Sequence, residues 1–280
     1  MATLRFVGYL PDSRGNRIDK HVRAKFAGDS SPRTLLCLLG PREAVAQIEA
    51  ASEPGTCSRF PVRDLNFDGA DEYNFCLDYP AGIPAATARL VELLTEILTL
   101  HLPPDSPLQF ATALDFYKSP REGVDPMKWP NTDAGAWVNA GKYWSPGESK
   151  RRAMAGFVPR FTDVLASHPL YSSATTVVSV PGHNADGRSW GEKLARRIAR
   201  ETDKKFVETL CPSGPRKQMK GADASPLPPF EIQEDLSGEP VIVVDDVYKT
   251  GRTMAQAAHA ARAAGAPYVS GFVIARTLSN

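Results

Sequence analysis

Cysteine is sparse in this 280-residue chain: Cys37, Cys57, Cys76 and Cys211 lie far apart, and no two form a CxxC pair. That spacing argues against a zinc finger, and in a reducing compartment it argues against disulfides. Buried small apolar side chains are the expected role. No apolar run approaches the roughly 20 residues a membrane helix requires, so no membrane partner is expected. The opening stretch MATLRFVGYLPD has no signal-peptide pattern, and a cytoplasmic location is the expectation. Repeats and low-complexity tracts are missing. Net charge is nearly missing too, at +1, although it is unevenly spread. Residues 1–137 hold 14 Lys and Arg against 18 Asp and Glu, and residues 138–280 hold 19 against 14. A basic second half suits a polyanionic small ligand. The excess is too small to argue for nucleic acid.

What is present is organised around Val241 to Met254, VIVVDDVYKTGRTM. Val241 to Val244 form an unbroken β-branched run, as in a strand buried on both faces of a parallel sheet. The run ends in Asp245 and Asp246, and a loop follows over Val247 to Gly251. An alanine-rich helix then opens at Thr253 and runs to Gly265. Tyr268 to Ile274 supplies the next strand, so 241–274 reads as one βαβ unit. Ligands of open α/β sheets bind beyond the carboxyl ends of the strands, where the two carboxylates sit. Tyr248 to Thr253 would add backbone N–H groups and the Thr250 and Thr253 hydroxyls at a helix N-terminus, an anion site. Gly251 admits an anion close to the backbone. Two carboxylates beside such a cradle suit a sugar phosphate.

The segment closely resembles the phosphoribosyl pyrophosphate (PRPP) signature of type I phosphoribosyltransferases: apolar strand, acidic pair, aliphatic residue, then Thr-Gly-x-Thr. The resemblance implies a Rossmann-like parallel-sheet α/β domain. It assigns the ribose hydroxyls to Asp245 and Asp246, and the 5′-phosphate to Tyr248, Lys249, Thr250, Gly251, Arg252 and Thr253. Lys249 departs from the small or hydroxyl residues commoner at that place. The family also implies Mg²⁺, held mainly by PRPP near Asp245 and Asp246, and a small-molecule nitrogen acceptor. A homodimer is compatible with it.

A second, looser resemblance begins near Trp137. The segment WVNAGKY, a helical pattern over Met154 to Leu165 with Pro159 inside it, and the strand TTVVSV at 175–180 follow the order of the ComF-type branch. The four-cysteine module usual there is missing. The loop after that strand, VPGHNADG, corresponds to the one that grips pyrophosphate in the family, which carries that role to Pro181, Gly182, His183 and Asn184. His183 can equally be a surface turn residue. A helix is expected from Ser189 to about Thr202, then a strand from Phe206 to Leu210. The basic loop after it matches the family's mobile loop, with Lys217 and Arg216 as the residues brought to the pyrophosphate. The implied reaction is transfer of phosphoribosyl to a nitrogen with release of pyrophosphate. The alternatives are a non-catalytic PRPP sensor and a ComF-like DNA-handling protein.

The expected division is 1–136, an α/β or α+β region with no family resemblance, and 137–280, the phosphoribosyltransferase-like domain. In the first region strands are expected at Leu4 to Leu10, Thr34 to Leu39 and Tyr73 to Leu77, with residues between 10 and 33 in turns and polar loop. Helices are expected from Pro41 to Ala51 and from Pro84 to Leu102, and a short element at Phe110 to Phe116. Asp64, Asp68, Asp71 and Glu72 match no EF-hand spacing and read as solvated turn carboxylates. Residues 118–136 read as a long loop, and Trp129, Trp137, Tyr143 and Trp144 are candidate stacking residues for an acceptor.

Overall fold

The computed structural model describes residues 17–27, 32–103, 105–143, 147–216 and 227–278. The expected strand at Leu4 to Leu10, and the site candidates Lys217 and Trp144, lie outside these residues.

The chain begins with β1 (Lys20–Ala27) and β2 (Pro32–Leu39), an antiparallel pair with Val22 opposite Cys37. β1 falls where a polar loop was expected. It is the edge strand of its sheet, with Lys20 and Arg23 exposed, so its sequence lacks the apolar density of a buried strand. Pro41 caps α1 (Arg42–Ala51), whose Ala44, Val45 and Ile48 are buried. β3 (Ser58–Arg59) and β4 (Phe75–Tyr79) complete a four-stranded antiparallel sheet in the order β1-β2-β4-β3. The acidic 64–72 stretch is exposed turn, with Lys20 Nζ 2.5 Å from Glu72 Oε2.

α2 (Ala85–Glu96) is shorter than its apolar stripe suggests. The chain turns at Ile97 into β5 (Leu98–Thr99), because Leu98 and Leu100 pack into a different core cluster from Leu90, Leu94 and Ile97. β5 pairs antiparallel with β6 (Ala111–Phe116). α3 (Asp133–Tyr143) and α4 (Glu148–Ser167) follow. Pro159 does not restart α4, which runs unbroken through it: the residue is exposed, so the backbone bond it forfeits lies on the solvent side. A single turn, α5 (Pro169–Ser172), precedes β7 (Thr176–Ser179).

Next come α6 (Trp190–Glu201), β8 (Lys205–Val207), β9 (Val241–Tyr248), α7 (Arg252–Ala263) and β10 (Val269–Arg276). β8 is shorter than expected, leaving Leu210 as an isolated bridge to Glu231. β9 is longer: it continues through both aspartates, since Val247 and Tyr248 still pair with Ala275 and Arg276. The six-stranded sheet has the order β5-β6-β10-β9-β7-β8, parallel except at β5. It draws β5 and β6 from before residue 137.

Alternation along β9 divides the core. Ile242 and Val244 pack with Val177, Phe272 and Ile274 under α3, α4 and α6, a cluster that continues through α1 and α2 to the four-stranded sheet. Val241 and Val243 pack with Val178 and Val273 beneath the alanine face of α7. The chain is thus an α/β protein whose parallel sheet is covered on both faces. A buried polar network ties the two sheets together. Gln47 on α1 donates to Thr99 on β5 (3.2 Å) and meets His168 Nε2 (3.0 Å), and Tyr171 donates to the Gly271 carbonyl on β10 (2.6 Å). Burial drives the His168 pKa down to about 3, so the ring is neutral.

Candidate functional site

The strand order reverses between β7 and β9: the chain goes outward from β7 to β8, then returns to place β9 on the other side of β7. α6 packs on one face of the sheet and α7 on the other. Their starts therefore diverge and leave a crevice at the carboxyl ends of β7 and β9, the place where open α/β sheets bind ligands. The acidic pair, the 180–189 loop and the turn into α7 all lie toward this edge of the sheet.

Asp246 is 6% exposed, a costly place for a carboxylate unless it is paired. Its partner is Lys142 on the last turn of α3, with Nζ 2.8 Å from Oδ1. The approach depends on Gly141, where a Cβ would fall 2.1 Å from the Trp190 ring at the start of α6. Asp245 Oδ1 accepts the Asp246 backbone N–H at 2.8 Å and lies against Gly191 in the first turn of α6. Burial and the Asp246 charge push the Asp245 pKa up to about 7, against the pull of Lys142 and Arg216.

The turn into α7 is built around Gly251, at φ +74°, with the Tyr248 ring beneath it. A Cβ at Gly251 would fall 2.3 Å from the phenol oxygen. The Tyr248 hydroxyl donates to the His101 carbonyl at 2.9 Å, so this side chain is the floor of the turn and faces away from any anion above it. Gly251 provides no side-chain cap for α7, while Lys249 and Thr250 are exposed beside the helix start and Arg252 and Thr253 are half-buried. The positive end of a helix dipole and its unshared N–H groups form an anion site.

Across the crevice, Pro181 is buried and His183 and Asn184 are exposed. The loop is pinned by a turn, Ala185 N–H to the Gly182 carbonyl at 3.1 Å, with Ala185 left-handed at φ +52°. Arg216 is tied to the same loop. Its backbone N–H donates to the His183 carbonyl and its guanidinium to the Pro181 carbonyl, both at 2.8 Å, and it stacks over Phe230 at 5.5 Å. Its Nε, together with Ser179 Oγ at the end of β7 and Thr209 Oγ1 past β8, is buried without a hydrogen-bond partner. Unpartnered buried polar atoms are rare, and each calls for a partner such as a water or a ligand.

Sequence reasoning did not assign Lys142, although WVNAGKY drew attention as a segment. A lysine near a helix end has no local mark of an ion pair a hundred residues away. The aromatic candidates fare differently. Trp129 is 5% exposed and its indole N–H donates to the Arg121 and Val124 carbonyls, so it is the core of its own loop. Trp137 packs on Phe157 and Gly156. Among the described residues no cluster of three or more His, Cys, Asp or Glu side chains is placed to hold a metal, and no helix is long and apolar enough to cross a membrane.

No protein-family model and no curated protein matches the chain. Among solved structures, it is similar to a purine phosphoribosyltransferase from Pyrococcus horikoshii Ot3, with 18% identity over 44% of this chain and 83% of that one and a TM-score of 0.32. A structure of adenine phosphoribosyltransferase gives 21% identity over 46% of this chain and 71% of that one, with a TM-score of 0.33. These values are too low to bear on function, which is read from the chain's own residues.

Proposed function

We propose that the chain is a PRPP-dependent phosphoribosyltransferase of the type I kind, moving the phosphoribosyl group to a nitrogen acceptor and releasing pyrophosphate. One observation carries the reading: an acidic pair and a side-chain-free helix start, joined through a left-handed glycine, share the crevice where the strand order reverses. The ribose hydroxyls would donate to Asp245 and Asp246, and the 5′-phosphate would sit on the backbone of 249–253. Pyrophosphate would face Pro181 to Asn184, with Arg216 already anchored there and Lys217 adjoining it in sequence. Taking up PRPP draws Asp246 away from Lys142, which frees the ammonium to turn toward the phosphates.

Two carboxylates, one of them already paired, are too few to hold a cation alone. They fit a Mg²⁺ kept chiefly by PRPP oxygens and water, with Asp245 and Asp246 at its edge. When bound, Mg²⁺ would offset the charge of the leaving pyrophosphate. The chain's own part is to orient the ribose, anchor both phosphates and place positive charge at the leaving group. In this reading residues 137–280 carry the ligand contacts in a cytoplasmic enzyme, and the earlier residues complete the sheet.

Calorimetry of PRPP binding with and without Mg²⁺, followed by a pyrophosphate-release screen over bases and amines, tests the proposal. Micromolar binding with release for one acceptor is expected. Binding without release for any acceptor would make the chain a sensor, and an absence of binding would remove the reading altogether.

A further inference from the structure

The four-stranded sheet has a second face, turned away from the main core. There Cys37 on β2 and Cys76 on β4 stand directly opposite one another, both buried, with their sulfurs 3.4 Å apart. The Cys76 carbonyl accepts the Phe60 N–H at 2.9 Å, on the β3 side. A strand residue projects its N–H and C=O to the same side, so Cys76 makes no ladder bond to Cys37. The two therefore form a non-hydrogen-bonded antiparallel pair, the kind with the closest Cα atoms, about 4.5 Å apart. That lies inside the Cα range a disulfide spans, about 4.4–6.8 Å. The remaining adjustment is side-chain rotation.

The cover is thin. Leu35 shares the face, and above the sulfurs lie the half-buried Phe60, Val62, Leu65 and Phe67. These belong to a segment held by short turns, such as Asp64 N–H to the Pro61 carbonyl and Ala70 N–H to the Phe67 carbonyl, with only single 3₁₀ turns of regular structure. Such a layer opens locally at low cost. The two thiols are also unequal: the hydrogen bond they share lowers the Cys37 pKa, while that bond and burial raise the Cys76 pKa.

We propose that Cys37 and Cys76 are a two-electron thiol pair that a small hydroperoxide converts into a disulfide between β2 and β4. In the first step Cys37, having given up its proton, attacks the peroxide oxygen; the O–O bond breaks, and Cys37 becomes a sulfenic acid while the leaving oxygen departs as water or alcohol. In the second, Cys76 attacks the Cys37 sulfur, the S–O bond breaks and water leaves. Two thiols and one hydroperoxide thus give one disulfide, one alcohol or water, and one further water. A thiol reductant reverses it.

The test is exposure of the full chain to hydrogen peroxide, followed by alkylation of the remaining thiols after unfolding, intact mass measurement and peptide mapping without reduction. The reaction is repeated in rising urea below the unfolding midpoint, so that access to the sulfurs does not limit it. A product carrying two fewer alkyl groups than the unoxidised, alkylated control is expected, with Cys37 joined to Cys76, a melting point raised on the order of 5–10 °C and full return on reduction. The double variant Cys57→Ser/Cys211→Ala, which keeps the pair, should give the same product. Full alkylation of Cys37 and Cys76 at every urea concentration, sulfinic acid in place of the cross-link, or loss of the product in that variant would each overturn the proposal.

Discussion

Two strand-to-helix turns stand side by side at the carboxyl edge of the sheet, and they begin their helices in opposite ways. The turn from β7 ends in Ser189, whose hydroxyl accepts the Glu192 N–H at 3.2 Å, while the Glu192 carboxylate accepts the Ser189 N–H at 2.7 Å. α6 has thus spent its first donors on its own side chains, a capping box. The turn from β9 ends in Gly251, and α7 starts with no side-chain cap. The difference assigns the two turns different work. α6 is stabilised from within, and its loop can offer a ligand only the groups that precede the cap. α7 forgoes that stabilisation and leaves the positive end of its dipole without a side-chain cap.

The largest effect should come from the carboxylates beside the open turn. Asp245→Asn with Asp246→Asn removes the charge of both acceptors for ribose hydroxyls and leaves only neutral amides, and PRPP affinity should fall at least about a hundredfold, the loss of two charge-assisted hydrogen bonds. Calorimetry reads the affinity and circular dichroism the fold. Unchanged affinity would detach the acidic pair from the open turn and break the comparison.

Gly251→Ala comes next. The new methyl meets the Tyr248 phenol, and a left-handed alanine costs about 1 kcal/mol or more. The turn must shift and its N–H groups with it, so PRPP affinity should drop roughly tenfold or more, while melting falls by a few degrees. A variant that melts lower yet binds PRPP as before would show that the open helix start is not the anion site.

Most of this contrast was legible in the sequence, and the reasons differ by element. The helix expected from Ser189 to about Thr202 is α6, within one residue at each end, although its capping box was not among the sequence expectations. The run VIVVDD followed by Thr-Gly-x-Thr announces the open turn, because strand, acidic end and glycine are all local signals. Even so, β9 continues to Tyr248: its last residues are held by β10, a partner the local pattern does not contain. The same limit hid Lys142, whose role depends on α3 packing against Trp190. It also hid β1, an edge strand whose pairing with β2 matters more than its own apolar content, and the end of α2, where Leu98 leaves the helical stripe for another core. Contacts across the fold decided each of these.

The acidic pair should also give the open turn a pH dependence. Asp245 titrates near 7 in the fold and near 4 when unfolded, so between those values the folded chain holds the extra proton. Stability from this group is full below about pH 4 and is lost as pH rises through 7. Relative to Asp245→Asn, the ligand-free protein should therefore become less stable from pH 5 to pH 8, measured as the urea midpoint. PRPP, which needs carboxylate acceptors, should bind more tightly over the same interval. A constant gap between the two proteins would mean that Asp245 is ionised throughout.

The smallest effect is the one that most sharpens the contrast. Ser189→Ala removes the cap of α6 and should cost about 1 kcal/mol, a melting shift of about 2–4 °C. PRPP affinity should stay within about twofold, because the hydroxyl it removes was already committed to Glu192. Gly251→Ala and Ser189→Ala then form a pair: similar losses of stability at neighbouring helix starts, with loss of ligand binding at one alone. Equal losses of binding in both would mean that the two helix starts move as one unit, and that the self-capped turn contributes to the ligand site through the shape of the 180–189 loop it holds in place.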